Sequence, residues 1–134
     1  MKKLTFLLIT STLIATASCT KEDVFNTYDI DYKETITHNK DVQVTFQEIA
    51  DSRCPTDVIC VWEGQAEVGL SVVFESNDSP TLFTLIKRAG YEELADTTLN
   101  GYNFNLLEVN PYPDSASDPP QKEDYTIRLL IEAE

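Results

Sequence analysis

Histidine occurs once in this 134-residue chain, at His38, and 10 basic side chains face 23 acidic ones, a net charge of −13. So few Lys and Arg argue against nucleic acid as a partner, because neutralising phosphates takes clustered cations. The lone His, with no G-x-S-x-G turn, argues against triad hydrolysis, which needs a base beside a nucleophile and an orienting carboxylate. Adjacent carboxylates such as Glu92-Glu93 are what any acidic surface contains, whereas a glycosidase needs two opposed across a cleft. Glycine is present only four times and without a tandem period, which excludes collagen-like and solenoid architectures. No long window carries an apolar i, i+3, i+4, i+7 face, so helix is confined to a short stretch near Tyr91 to Ala95. What remains is a chain with 42% apolar and 10% aromatic residues, enough for a packed core.

The first eighteen residues read as a targeting segment. Lys2 and Lys3 precede an apolar stretch, Leu4 to Ala15, of the length a signal peptide needs. The stretch is too short for a spanning helix, which takes roughly 20 apolar residues. Thr16-Ala17-Ser18-Cys19 then resembles the lipobox of bacterial lipoproteins, with Thr16 where that box usually has Leu. The resemblance implies cleavage before Cys19 and acylation of its thiol and new amine. The other reading is an ordinary signal peptide with an incidental Cys. Two or more acyl chains hold a protein stably on a bilayer. Thr20-Lys21-Glu22-Asp23 resembles the signal that sends some lipoproteins to the outer face of the outer membrane. A lipid-anchored outer-membrane location is therefore expected, displayed on the cell surface or, alternatively, facing the periplasm.

Residues 19–39 read as a lipidated tether, and 40–134 as a single domain. Within it the apolar period is two: Val42, Val44 and Phe46 alternate with Gln43 and Thr45, and Ala66, Val68, Leu70, Val72 and Phe74 with Glu67, Gly69 and Ser71. Ser76 to Pro80 has turn composition. Thr81 to Lys87 is apolar on both faces and reads as a central strand. Tyr102 to Val109 and Tyr125 to Ile131 alternate again, Thr97 to Leu99 begins a further strand, and the proline-rich 110–124 is a loop. The expectation is an all-β protein, an antiparallel immunoglobulin-like sandwich of six to seven strands, with a small β-barrel as the alternative. A monomer is expected.

Asp51 to Gly64 reads D-S-R-C-P-T-D-V-I-C-V-W-E-G. In an exported chain Cys54 and Cys60 should form a disulfide. Their spacing and the single distant His do not fit a zinc site. Pro55 and Asp57 favour a turn inside the small loop. Trp62 either packs over the bridge or stands out as an aromatic anchor for a ligand. Arg53, bracketed by Asp51, Asp57 and Glu63, is expected in an internal ion pair. Asp114, Ser115, Ser117 and Asp118 offer oxygens of the kind calcium takes, but no Gly supplies the sharp turn of a calcium loop. No metal and no cofactor is expected.

The pattern D-S-R-C-P-x₄-C-x-W-x-G-x-A, followed by an alternating strand, resembles a family of small uncharacterised bacterial secreted proteins and lipoproteins. Leu107-x-Val109-x-Pro111-Tyr112-Pro113 and the closing strand from Tyr125 extend the likeness. It implies a compact β-domain and assigns no activity. The leading functional expectation is a non-catalytic binding or interaction module, with Asp51, Arg53, Asp57, Trp62 and Glu63 in a possible binding loop for a protein or glycan ligand. The alternatives are a structural or protective envelope component and an inhibitor of an extracellular protease. If Cys19 carries the lipid, Cys19→Ala should release the protein from the membrane fraction or stall its processing. Membrane partitioning of processed Cys19→Ala protein would refute the anchor.

Overall fold

The computed structural model describes residues 26–134; the expected signal segment, the expected lipidation site Cys19 and the Thr20 to Asp23 motif lie outside them. Eight strands, β1 (Thr27–Asp31), β2 (Thr35–His38), β3 (Val42–Asp51), β4 (Ala66–Phe74), β5 (Asn77–Lys87), β6 (Asp96–Leu99), β7 (Tyr102–Asn110) and β8 (Thr126–Ala133), form two four-stranded sheets. One sheet has the order β1-β8-β7-β6 and the other β2-β3-β4-β5, every pair antiparallel. The sheets do not close into a barrel; the fold is the expected all-β sandwich. One sheet is a meander, β2-β3-β4-β5; in the other, β1 adds to the β6-β7-β8 meander beside β8, an order unlike the ABED and CFG sheets of an immunoglobulin domain. The immunoglobulin-like part of the expectation is thereby corrected.

The core follows from alternation. Val42, Val44, Phe46, Val68, Leu70 and Val72 from one sheet meet Phe104, Leu106, Ile127, Leu129 and Ile131 from the other, all buried. In β3 and β7 the alternation changes phase. A bulge between Phe46 and Glu48 turns Ile49 inward, and one between Leu106 and Glu108 does the same for Val109. Each bulge adds one residue to its strand on the side of the same end of the sandwich, where β3 ends at Asp51 and β7 at Asn110. That end carries the Cys54–Cys60 segment.

The tether expectation requires correction at its C-terminal half. Residues 27–38 are strands, so the domain begins near Asn26 rather than at Lys40. The chain runs along β8, then crosses to β3: Tyr32 N–H donates to Tyr125 O at 3.0 Å, and Lys33 N–H to Phe46 O at 2.8 Å. Lys33 adopts a positive φ of 67° at this corner. The sequence hides these strands because both are short sheet edges: β1 carries Asp29 and Asp31, charges that keep an edge from pairing further, and β2 has only the four residues Thr35–His38. β5 is also an edge, not a central strand. Pro80, lacking an N–H, is tolerated only there, and Leu82 points outward, 71% exposed. The turn expected at Ser76 to Pro80 is shorter, since Asn77 already pairs with Phe74.

His38, expected on a mobile stretch, is 1% exposed. Its Nδ1 lies 2.9 Å from Tyr28 Oη and its Nε2 2.9 Å from Asn39 Nδ2, with the Tyr28 and Tyr102 rings edge-on. Burial holds its pKa below the usual 6.5, against a smaller upward pull from Asp41. The unfolded chain therefore binds a proton that the fold resists. Stability should be full above about pH 6.5 and fall as pH drops toward the depressed folded value. Urea midpoints at pH 7.5 and 5.0 should show a larger loss for the natural chain than for His38→Gln. Equal losses would mean that His38 does not control this slope.

Candidate recognition loop

The Cys54–Cys60 bridge is formed, with Cα atoms 5.9 Å apart. It closes a tight turn in which Val58 N–H donates to Pro55 O. Three further ties hold the segment to the sandwich. Ser52 N–H donates to Gln65 O at 2.8 Å and Cys54 N–H to Glu63 O at 2.9 Å, so the two limbs run as a narrow ribbon. Gly64 makes that closeness possible: it sits at φ +69°, and a Cβ there would lie 1.8 Å from Ser52 O.

Arg53 is the second tie. Its side chain, 10% exposed, pairs with Asp51, 4% exposed, at 2.7 and 2.9 Å. Its remaining donors reach Val109 O and Pro111 O, each at 2.9 Å, and the guanidinium lies over the Tyr112 ring. Tyr125 Oη donates to the same Asp51 carboxylate at 2.9 Å; burial, then Asp51 itself, pushes this phenol up to about 12. The third tie is the proline loop. Tyr112 Oη donates to Cys54 O, Thr56 N–H to Pro113 O, and Ala116 N–H to Asp57 Oδ1. The base of the segment, around Asp51 and Arg53, is held to the sandwich because its donors are matched, while residues 56–63 are exposed.

The expected site residues divide accordingly. Asp51 and Arg53 form the anticipated ion pair and are consumed inside it, and Asp57 caps the neighbouring loop. Glu63 and Trp62 face solvent, the latter 54% exposed. Half exposed, Trp62 is not part of the core; its ring faces the Arg88 guanidinium at 5.5 Å. The residues missed from sequence are Ile59 and Val61, whose side chains are fully exposed. Their signal was an unbroken V-I-C-V-W run inside a loop too small to bury it. Asp114, Ser115, Ser117 and Asp118 lie on the proline loop, where the Ser115 and Ser117 hydroxyls bond each other. Beside the ribbon opens a cleft of about 370 Å³ lined by Arg53, Gly64, Arg88, Val109, Asn110 and Tyr112.

No protein-family model, curated protein or solved structure matches the chain.

Breaking the buried pair should cost more than losing an exposed one, since it strands a carboxylate out of water. Arg53→Met is expected to lower unfolding free energy by about 3 kcal/mol, and Gly64→Ala by about 2 kcal/mol or more through strain and steric displacement. Gly90→Ala, which also has positive φ but nothing within 4 Å, serves as the backbone control. Urea unfolding that ranked Gly90→Ala at or above Gly64→Ala would refute the close-approach account.

Proposed function

We propose that this protein is a non-catalytic recognition module of the bacterial envelope, anchored through lipid on Cys19, which binds a partner protein through the tip of the Cys54–Cys60 loop. The observation that carries this reading is the full exposure of Ile59 and Val61 on a loop closed by the Cys54–Cys60 disulfide. Exposed single apolar residues are ordinary; two of them flanking a bridged cysteine on one small loop are not. Bracing removes the ordering cost that a flexible loop would meet on binding. Burying each aliphatic side chain offers roughly 1.5–3 kcal/mol. Ile59 and Val61 also occupy unspecified positions of D-S-R-C-P-x₄-C-x-W-x-G, the places where a shared frame could carry a chain-specific surface.

Chain direction supports display. β1 runs from the end holding the Asn100-Gly101 turn toward the loop end. A lipid on Cys19 would be separated from Asn26 by six residues, a reach of roughly 20 Å. The acidic body is repelled by anionic head groups, which favours the loop end pointing away from the bilayer. The surface-displayed and periplasm-facing orientations share this geometry. The non-catalytic reading is supported by His38, which is hydrogen-bonded among tyrosines away from the loop. The tight turn at Pro55 to Val58 speaks against protease inhibition, for which an extended segment is the natural mimic.

The test places a photo-crosslinking phenylalanine analogue at position 59 in cells, with position 82 as an exposed apolar control. A discrete protein adduct from position 59 and none from position 82 is expected. The purified partner should bind Ile59→Ser/Val61→Ser at least tenfold more weakly than the natural chain. Equal crosslinking from both positions, or unchanged affinity, would overturn the reading.

A further inference from the structure

Arg88 differs from the other two arginines. Arg53 is saturated by Asp51 and two carbonyls, and Arg128 is paired with Asp29 and Glu108. Among the described residues Arg88 has no ion pair, and its Nε is buried without a hydrogen-bond partner. Its guanidinium is held between the Tyr91 ring at 4.1 Å and the Trp62 ring at 5.5 Å, on the wall of the cleft beside the loop. In a chain where acids outnumber bases more than two to one, an unpaired Arg is unexpected.

Three carboxylates also line the cleft, and each is placed elsewhere. Glu92 accepts from Lys87 at 2.7 Å, Glu108 from Asn110 at 3.1 Å and Arg128 at 3.5 Å, and Glu63 is exposed. None accepts a hydrogen bond from Arg88. The guanidinium is thus fixed by its rings, which leaves its planar fork free for a bidentate acceptor. Ring stacking suits this task, because it orients the cation without neutralising it.

We propose that the cleft is a carboxylate receptor, and that Arg88 takes an Asp or Glu side chain of the partner protein whose apolar surface meets Ile59 and Val61. The inference rests on the recognition reading above and adds the partner's chemistry: an acid flanked by apolar side chains. A protein is favoured over an acidic sugar for two reasons. Trp62 and Tyr91 each present a ring face to Arg88 rather than to an open sugar platform, and the most exposed side chains nearby are aliphatic. Leu107 and Val109 line the cleft and suit the neighbour of an acidic residue in a peptide.

Trp62 is the only tryptophan, so its fluorescence reports directly on this site. The full chain is titrated with the peptide acetyl-Phe-Glu-Phe-amide, with its Gln counterpart, and with glucuronate, while the Arg88 Nε–H resonance is followed by NMR. The Glu peptide should perturb Trp62 and Arg88 together and bind at least tenfold tighter than the Gln peptide. Arg88→Gln should erase that preference, and Arg88→Lys, which keeps the charge without the fork, should weaken it at least fivefold. Equal binding of Glu and Gln peptides, no shift at Arg88, or undiminished preference in Arg88→Lys would overturn the receptor. Glucuronate binding tenfold tighter than the Glu peptide would overturn the choice of a protein partner. Neither result touches the crosslinking from position 59, so the loop reading stands or falls separately.

Discussion

One guanidinium ties the loop end of this sandwich together. Arg53 spends its donors on Asp51, at the end of β3, and on two carbonyls at the end of β7. Tyr125, just before β8, completes the same carboxylate. The phenol, raised to about 12, stays a donor at any ordinary pH. Both sheets are thus joined through a fixed planar fork, which Lys could not reproduce because a point charge has no paired geometry. Charged groups so little exposed are tolerable only when every lone pair and proton is matched. The exposed side chains of the loop stand on that platform.

The parts of this arrangement that a sequence can carry were legible. The disulfide follows from two thiols with no competitor in the domain, and the Asp51–Arg53 pair from proximity along the chain. The acceptors that complete Arg53 were not, because Val109 and Pro111 offer backbone carbonyls, which any residue at those positions would supply. The strands of the core were readable from period two up to Phe46 and Leu106, where bulges change its phase. The edge strands β1 and β2 were lost for different reasons: in β1 the charges Asp29 and Asp31 that keep an edge from aggregating also hide the strand, and β2 is too short, at four residues, to show a period. Gly64 could have been found, since a Gly between Trp62-Glu63 and an alternating strand, in a chain with four glycines, marks a backbone that must come close to another.

The segment from Asp51 to Gly64 therefore divides by physical role. Asp51, Arg53, Cys54 and Gly64 are turned inward and packed or matched there, and the exposed Cys60 is bonded to Cys54. Ile59 and Val61 are turned outward and touch little of their own chain. Trp62 stands between, with one face toward Arg88 and the rest in solvent. Substitution of an inward residue changes the frame and so alters every outward one together. Substitution of an outward residue changes only what is displayed. That separation is what a recognition surface needs if stability and specificity are to vary independently.

Electrostatics sets how such a surface would meet a carboxylate. The field of a strongly acidic body repels an approaching acid at long range, while Arg88 attracts it only at contact. At physiological salt the repulsion is damped beyond about 8 Å, whereas a contact pair wedged against two rings and an apolar wall is shielded from ions. The two terms therefore respond differently to salt: raising it removes the barrier to approach faster than it weakens the pair. Association should be slowest in dilute buffer, opposite to the behaviour of partners that steer each other by opposite charge. Affinity must then rest on the aliphatic contacts at Ile59 and Val61, with Arg88 selecting which apolar surface is accepted.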